Sequence, residues 1–138
     1  MAITIKSARE IELMRDSNKR IAEVHKAMEE LIKPGITTWE LDEFAEKMIR
    51  NMGCEPNFKN YNGFPATACI SINNEVIHGI PSAKRKIEAG DIVSIDLGAV
   101  FGGYHGDNAA TFACGDVSKE AKRLMDTTKE SLYEGISA

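Results

Sequence analysis

The chain has 138 residues, of which 43% are hydrophobic and 28% charged, and its formal net charge is -4 at pH 7, values that fit one globular domain spanning residues 1–138. The sequence shows neither a basic stretch with interleaved aromatic residues nor an apolar run long enough to cross a bilayer, so we expect no nucleic-acid or membrane partner. Its three cysteines form no close pair, and the N-terminus lacks the features of a secretory signal, so we expect a cytoplasmic protein without a disulfide framework.

Two helices are predicted in the first part of the chain. Ser7 with Glu10 and Thr37 with Glu40 have the spacing of capping boxes. Each pair precedes a run of apolar residues at helical spacing, which is typical of an amphipathic helix. His25 lies in the first of these runs, and we interpret it as a surface residue.

A loop, a sheet and a final helix are predicted after them. Residues 55–65 are rich in Asn, Gly, Pro and aromatic side chains, which indicates a loop, and residues 68–72 form a short β-like run. Residues 92–97 alternate between apolar and polar side chains, and a Gly-Gly turn leads to a returning strand over residues 104–114. Ser118 is expected to cap a last helix that has no convincing stop, which hints at truncation. The expected fold class is α+β, an antiparallel sheet covered by helices.

The predicted hairpin brings two carboxylates together. If the two glycines form the turn, Phe101 lies opposite Tyr104, and Asp96 lies opposite Ala109. Asp107 shares a face with Ala109 because side chains alternate along a strand. Asp96 and Asp107 are therefore predicted to be diagonal neighbours, unless a bulge at the turn changes the parity.

Two carboxylates at that distance repel each other unless a cation lies between them, and hard divalent ions take carboxylate oxygen ligands. Acidic residues on a hairpin are more often simply solvated, so the spacing alone leaves both interpretations open. Asp96 favours a metal site because it interrupts an apolar strand. Gly106 favours it as well, because a glycine beside Asp107 permits close approach.

His78 is the second candidate functional residue. It lies in the segment Ile-His-Gly-Ile-Pro, residues 77–81, where glycine and proline would fix a turn and direct the ring into a cleft. A single histidine is more often structural than catalytic, and we interpret His105 as structural.

These segments resemble the type I methionine aminopeptidases. Residues 68–81, ACISINNEVIHGIP, are similar to the family's stretch that ends in H-G-I-P. Residues 88–98, EAGDIVSIDLG, resemble the strand that supplies its first metal ligand, and residues 104–107, YHGD, resemble the segment that supplies the second. The segments match in order and spacing, and the likeness covers nearly the whole chain.

The resemblance implies the N-terminal half of a pita-bread fold and the metal-assisted hydrolysis that removes the N-terminal methionine of nascent proteins. Asp96 would bind one of two divalent metal ions (Co, Mn, Fe, Zn or Ni), and Asp107 would bridge both. His78 would contact the scissile peptide and help with proton transfer.

The resemblance also implies a pocket for the methionine side chain. The residues at the corresponding positions are aromatic or sulfur-containing, which suits a flexible thioether: Phe58, Tyr61, Phe64 and Cys69. Without the resemblance, the same four residues would be interpreted as ordinary core.

The family completes its metal site with a histidine and two glutamates from a second half of the fold, and this sequence stops before them. Two carboxylates leave most coordination positions to water, so the resemblance implies weak or no activity for the chain alone. Three interpretations follow: a truncated methionine aminopeptidase, a half-fold that forms a homodimer or pairs with the missing C-terminal half, and a non-catalytic peptide-binding module. The presence of His78, Asp96 and Asp107 argues against the peptide-binding module, because binding alone has no chemical need for these residues.

Overall fold

The computed structural model describes residues 3–138, so Met1 and Ala2 of the expected domain lie outside the described residues. The elements in chain order are α1 (Ala8–Glu29), α2 (Thr38–Asn51), β1 (Glu55–Pro56), a 3-10 turn (Tyr61–Gly63), β2 (Ala68–Ile72), β3 (Ile92–Phe101), β4 (Tyr104–Ala113) and α3 (Lys119–Ser137). No helix within residues 3–138 is both long enough and apolar enough to span a membrane.

Capping boxes begin the first two helices, as predicted. In α1 the Ser7 amide donates to the Glu10 carboxylate at 2.7 Å, while the Glu10 amide donates to the Ser7 hydroxyl. In α2 the Thr37 amide donates to the Glu40 carboxylate at 2.8 Å, with the reciprocal bond also present. These bonds satisfy amides that have no partner inside the helix and so fix where each helix starts.

The sheet has four antiparallel strands, and β3 is its central strand. β4 pairs with the whole length of β3 along one edge. β2 and then β1 pair with the opposite edge. β1 is only two residues long and was predicted as loop, because so short a strand carries no periodic pattern.

The helices α1 and α2 cover one face of this sheet. Alternate residues of β3 face them and are at most 2% exposed: Val93, Ile95, Leu97 and Ala99. They pack in one core with side chains of the two helices, including Ile21, Val24, Met28, Leu41, Ala45 and Ile49. Burial of a side chain of this size stabilises the fold by about 1.5–3 kcal/mol. The opposite face of the sheet is left open, and the predicted carboxylate pair lies there.

His25 is buried, so its interpretation as a surface residue was wrong. Only 5% of the residue is exposed, and its Nε2 lies 3.0 Å from the carbonyl oxygen of Asn108 on β4. His25 follows the core residue Ile21 by four positions, which places both on the inner side of α1. The four-residue spacing from Ile21 could therefore have predicted from the sequence that His25 is buried.

Candidate metal centre

The register of the hairpin is the one predicted from the sequence. Phe101 pairs with Tyr104, and Asp96 pairs with Ala109. Asp107 pairs with Gly98, two residues after Asp96 on β3. Asp96 and Asp107 are therefore diagonal neighbours on the open face, and no bulge interrupts the pairing between them.

The electrostatics of the pair reflect this proximity. Asp96 is half-buried and Asp107 is exposed. Burial raises the pKa of Asp96, and the neighbouring Asp107 carboxylate raises that pKa further, while His78 acts in the opposite direction. A cation bound between the two carboxylates would therefore relieve their mutual repulsion.

The two carboxylates fit a divalent cation as part of its ligand set. Within residues 3–138, no group of three or more His, Cys, Asp or Glu side chains is arranged to hold a metal ion. Asp96 and Asp107 supply hard oxygen donors, which suit Mn²⁺ and related ions, and the other coordination positions need further ligands.

His78 is held near the pair by a constrained backbone. Its φ of 59° is left-handed, which costs a residue other than glycine about 1–2 kcal/mol. The next residue, Gly79, accepts a hydrogen bond from the Ile70 amide at 2.8 Å and donates one to the Ser71 hydroxyl at 3.0 Å. A Cβ on Gly79 would lie 2.1 Å from the Ile70 carbonyl oxygen, so only glycine permits this approach. The segment is thereby fixed to the outer edge of β2, with His78 close enough to Asp96 to affect its pKa.

Two of the four expected pocket residues adjoin the pair. Cys69 is buried and pairs with Asp96 across β2 and β3, and burial followed by the nearby carboxylates raises the pKa of its thiol to about 11. The ring of Phe58 lies over Gly98, where an added Cβ would be 2.4 Å from its Cε1 atom. Gly98 is the strand partner of Asp107, so Phe58 lies beside the carboxylate pair.

The other two expected pocket residues flank the 3-10 turn. Tyr61 is 69% exposed, and Phe64 is partly buried. The Tyr61 amide donates to the Phe58 carbonyl oxygen at 3.0 Å, and the Phe64 amide donates to the Tyr61 carbonyl oxygen at 2.9 Å. These bonds fold the turn back on Phe58 but do not by themselves bring Tyr61 and Phe64 to the carboxylates.

Sequence reasoning missed the contacts made across Gly98. Asn57 lies over this glycine, and its side-chain amide reaches His105 on β4, with 2.9 Å between Nδ2 and Nδ1. A glycine inside an apolar strand often marks a close approach, and Gly98 was the signal that could have revealed it.

A profile of metallopeptidase family M24 matches residues 12–138 of the chain. The chain belongs to this family. The methionine aminopeptidase of Clostridium acetobutylicum is 50% identical over 134 residues, which are 97% of this chain and 54% of that protein. Methionine aminopeptidase 1 of Bacillus subtilis is 46% identical, with the same 97% and 54% covered. The chain spans about half the length of the curated relatives that it matches.

Solved structures of the family agree with the fold. The crystal structure of methionine aminopeptidase from Rickettsia prowazekii superimposes with a TM-score of 0.95 and 35% identity, covering 98% of this chain and 54% of that one. Aminopeptidase P from E. coli, at 24% identity and a TM-score of 0.78, shares the fold. The α+β arrangement expected from the sequence is confirmed, and it corresponds to about half of the pita-bread fold of M24 peptidases.

Proposed function

We propose that the protein removes the N-terminal methionine of nascent peptides in a reaction that requires divalent metal ions, and that Asp96 and Asp107 bind those ions. One observation carries the proposal: the two carboxylates are diagonal neighbours on the open face, and Asp107 raises the pKa of Asp96. The family membership and the names of the relatives support the reaction class. The free, buried cysteines are in keeping with a cytoplasmic setting.

Each acidic residue and His78 has its own role in this proposal. Asp96 would hold one of two divalent ions and Asp107 would hold both, and these ions would be Co, Mn, Fe, Zn or Ni. When bound, such ions activate water and polarise the scissile carbonyl. His78 contacts the peptide and assists proton transfer, a role supported by its fixed position close to Asp96.

The methionine side chain is proposed to bind beside the carboxylates. Phe58, which lies over Gly98, and Cys69, which pairs with Asp96, form the part of the pocket nearest to them. Tyr61 and Phe64 complete the pocket from the 3-10 turn that folds back on Phe58. Aromatic rings and a soft sulfur suit a thioether side chain.

The test is the release of methionine from a Met-Ala-Ser peptide by the purified chain with added Mn²⁺ or Co²⁺. We expect the chain alone to release methionine weakly or not at all, and any release to be lost in Asp107→Ala and Asp96→Ala. It should be retained in Asp116→Ala, a matched control because Asp116 is an exposed carboxylate in the loop after β4. Calorimetry with Mn²⁺ tests the metal ligands separately. Equal Mn²⁺ affinity of the wild type and the Asp107→Ala variant would contradict the assignment of Asp107.

A second candidate, self-association of two copies, is favoured by the surface of α3. No residue of this helix is buried, and four of its apolar side chains are 58–70% exposed: Leu124, Leu132, Tyr133 and Ile136. A second copy would cover this surface and bring two carboxylate pairs into one assembly. Light scattering at increasing protein concentration tests this. A monomer throughout would rule out the dimer. Peptide binding that is unchanged by Mn²⁺ and by Asp107→Ala would instead indicate a non-catalytic binding module.

A further inference from the structure

The side chain of Asn57 crosses the sheet on its open face. Asn57 follows β1, and its backbone amide donates to the Gly98 carbonyl oxygen on β3 at 3.2 Å. Its side chain then passes over Gly98 and reaches His105 on β4, where Nδ2 and Nδ1 are 2.9 Å apart. The absent side chain of Gly98 makes the crossing possible, since a Cβ there would lie 2.1 Å from Asn57 Oδ1.

The orientation of the Asn57 amide sets the direction of this hydrogen bond. With Nδ2 toward the ring, the amide donates and Nδ1 of His105 accepts, which places the ring proton on Nε2. Asn57 Oδ1 is buried against Gly98 and has no partner among the described residues. The bond to His105 is therefore the interaction that orients the Asn57 amide.

Phe58 lies between this hydrogen bond and an ion pair. Its ring occupies the remaining space over Gly98, where a Cβ would be 2.4 Å from Cε1. On its other side, Lys59 Nζ lies 2.6 Å from Glu46 Oε2 on α2. The segment is thus held at both ends, by β4 through Asn57 and by α2 through Lys59. The ion pair is partly buried and the hydrogen bond is exposed, so burial does not decide which of the two holds Phe58.

We propose that Asn57 and His105 form a positioning pair that holds the Phe58 ring over Gly98, beside Asp107. The description of Phe58 as a wall of the methionine pocket rests on the proposed function, whereas the positioning itself does not. Neither residue of the pair contacts the substrate in this proposal, because both act through Phe58.

The first test measures the tautomer of His105 in the wild-type chain. Long-range ¹H–¹⁵N spectra distinguish a protonated from an unprotonated ring nitrogen, and mildly alkaline solution keeps a free imidazole neutral. We expect the proton on Nε2. Asn57→Asp replaces the donor by an acceptor and should move the proton to Nδ1. A proton that stays on Nε2 in Asn57→Asp would overturn the proposal, because it would mean that the residue at position 57 does not contact the ring.

The second test follows the nuclear Overhauser effect between the Phe58 ring and the Gly98 α-protons. Asn57→Ala and His105→Leu should each abolish the cross-peak. His105→Gln should retain it, because the carbonyl oxygen of glutamine can accept a hydrogen bond from Asn57. Asn74→Ala is the matched control, since Asn74 is exposed in the β2–β3 connection and its side chain makes no hydrogen bond with a described residue.

The Lys59→Met variant separates the two constraints on Phe58. A cross-peak that survives Asn57→Ala and His105→Leu but is lost in Lys59→Met would overturn the positioning pair in favour of the ion pair. The proposed function is tested independently by adding Met-Ala-Ser or Ala-Ala-Ser with Mn²⁺ to the wild type. If both tests succeed but the Phe58 resonances respond to neither peptide, the positioning pair stands and the methionine pocket is wrong.

Discussion

His25 is buried between α1 and β4, with its Nε2 facing the carbonyl oxygen of Asn108. Burial lowers the pKa of His25, and the hydrogen bond to Asn108 offsets only part of that effect. The folded protein therefore binds this proton less readily than the unfolded chain, in which the histidine pKa is about 6.5. Protonation then favours unfolding, because the charged ring is better solvated outside the fold.

The free energy of unfolding is expected to fall as the pH is lowered through about 6.5 toward the pKa of the folded state. The contribution of His25 is fully present above that window and lost below it. His25→Gln removes the titrating group, so its stability should change less between pH about 7.5 and about 5. Urea denaturation of both proteins at several pH values measures this. Parallel pH dependences would show that His25 is not the group responsible.

At the scale of elements, Asp42 links α2 to the start of β2. The residue is 2% exposed, and its Oδ1 accepts from the Thr67 amide at 2.9 Å and the Ala68 amide at 2.7 Å. Asp42→Ala should lower the free energy of unfolding by about 1–3 kcal/mol, because it leaves both amides unpaired. Asp42→Asn keeps a side-chain oxygen as acceptor and should cost less. Denaturant titration compares the two variants, and an equal loss in both would mean that charge matters more than the acceptor.

Gly79 makes the contact that fixes the His78 segment to β2. Because a Cβ would meet the Ile70 backbone, Gly79→Ala should destabilise the protein by about 1–3 kcal/mol. Gly135→Ala on α3 is the control: nothing lies within 4 Å of its Cβ position, and alanine favours the helix by up to about 1 kcal/mol. Thermal unfolding measures both. If the two variants unfold at the same temperature, the backbone at Gly79 yields without cost and the close approach does not constrain His78.

The elements differed in how far the sequence could predict them. The hairpin register was predictable because a two-residue glycine turn and side-chain alternation fix it locally. The two capping boxes were also predictable, because each one joins residues only three positions apart. The Asn57–His105 bond and the position of Phe58 depend on residues about 40 or more positions apart, so no local pattern encodes them.

At the scale of the whole molecule, α3 differs from the other helices because it has no buried residue. Helices without tertiary packing are marginal in water, so α3 should exchange its amide hydrogens far faster than β3. Hydrogen exchange followed by mass spectrometry at low protein concentration measures this, with the packed helix α2 as the control. Protection of α3 equal to that of α2 would mean that another surface covers it.

The alternation along β3 divides its residues between two environments. Positions 93, 95, 97 and 99 are buried under the helices, whereas positions 94, 96 and 98 face the carboxylate side. A substitution scan of this strand should therefore cost stability at positions 93, 95, 97 and 99, whereas substitution of Asp96 should chiefly weaken metal binding. Gly98 is the exception on the carboxylate side, because a side chain there would meet Asn57 and Phe58. Directed evolution could then tune thermal tolerance at the buried positions with little effect on the chemistry at position 96.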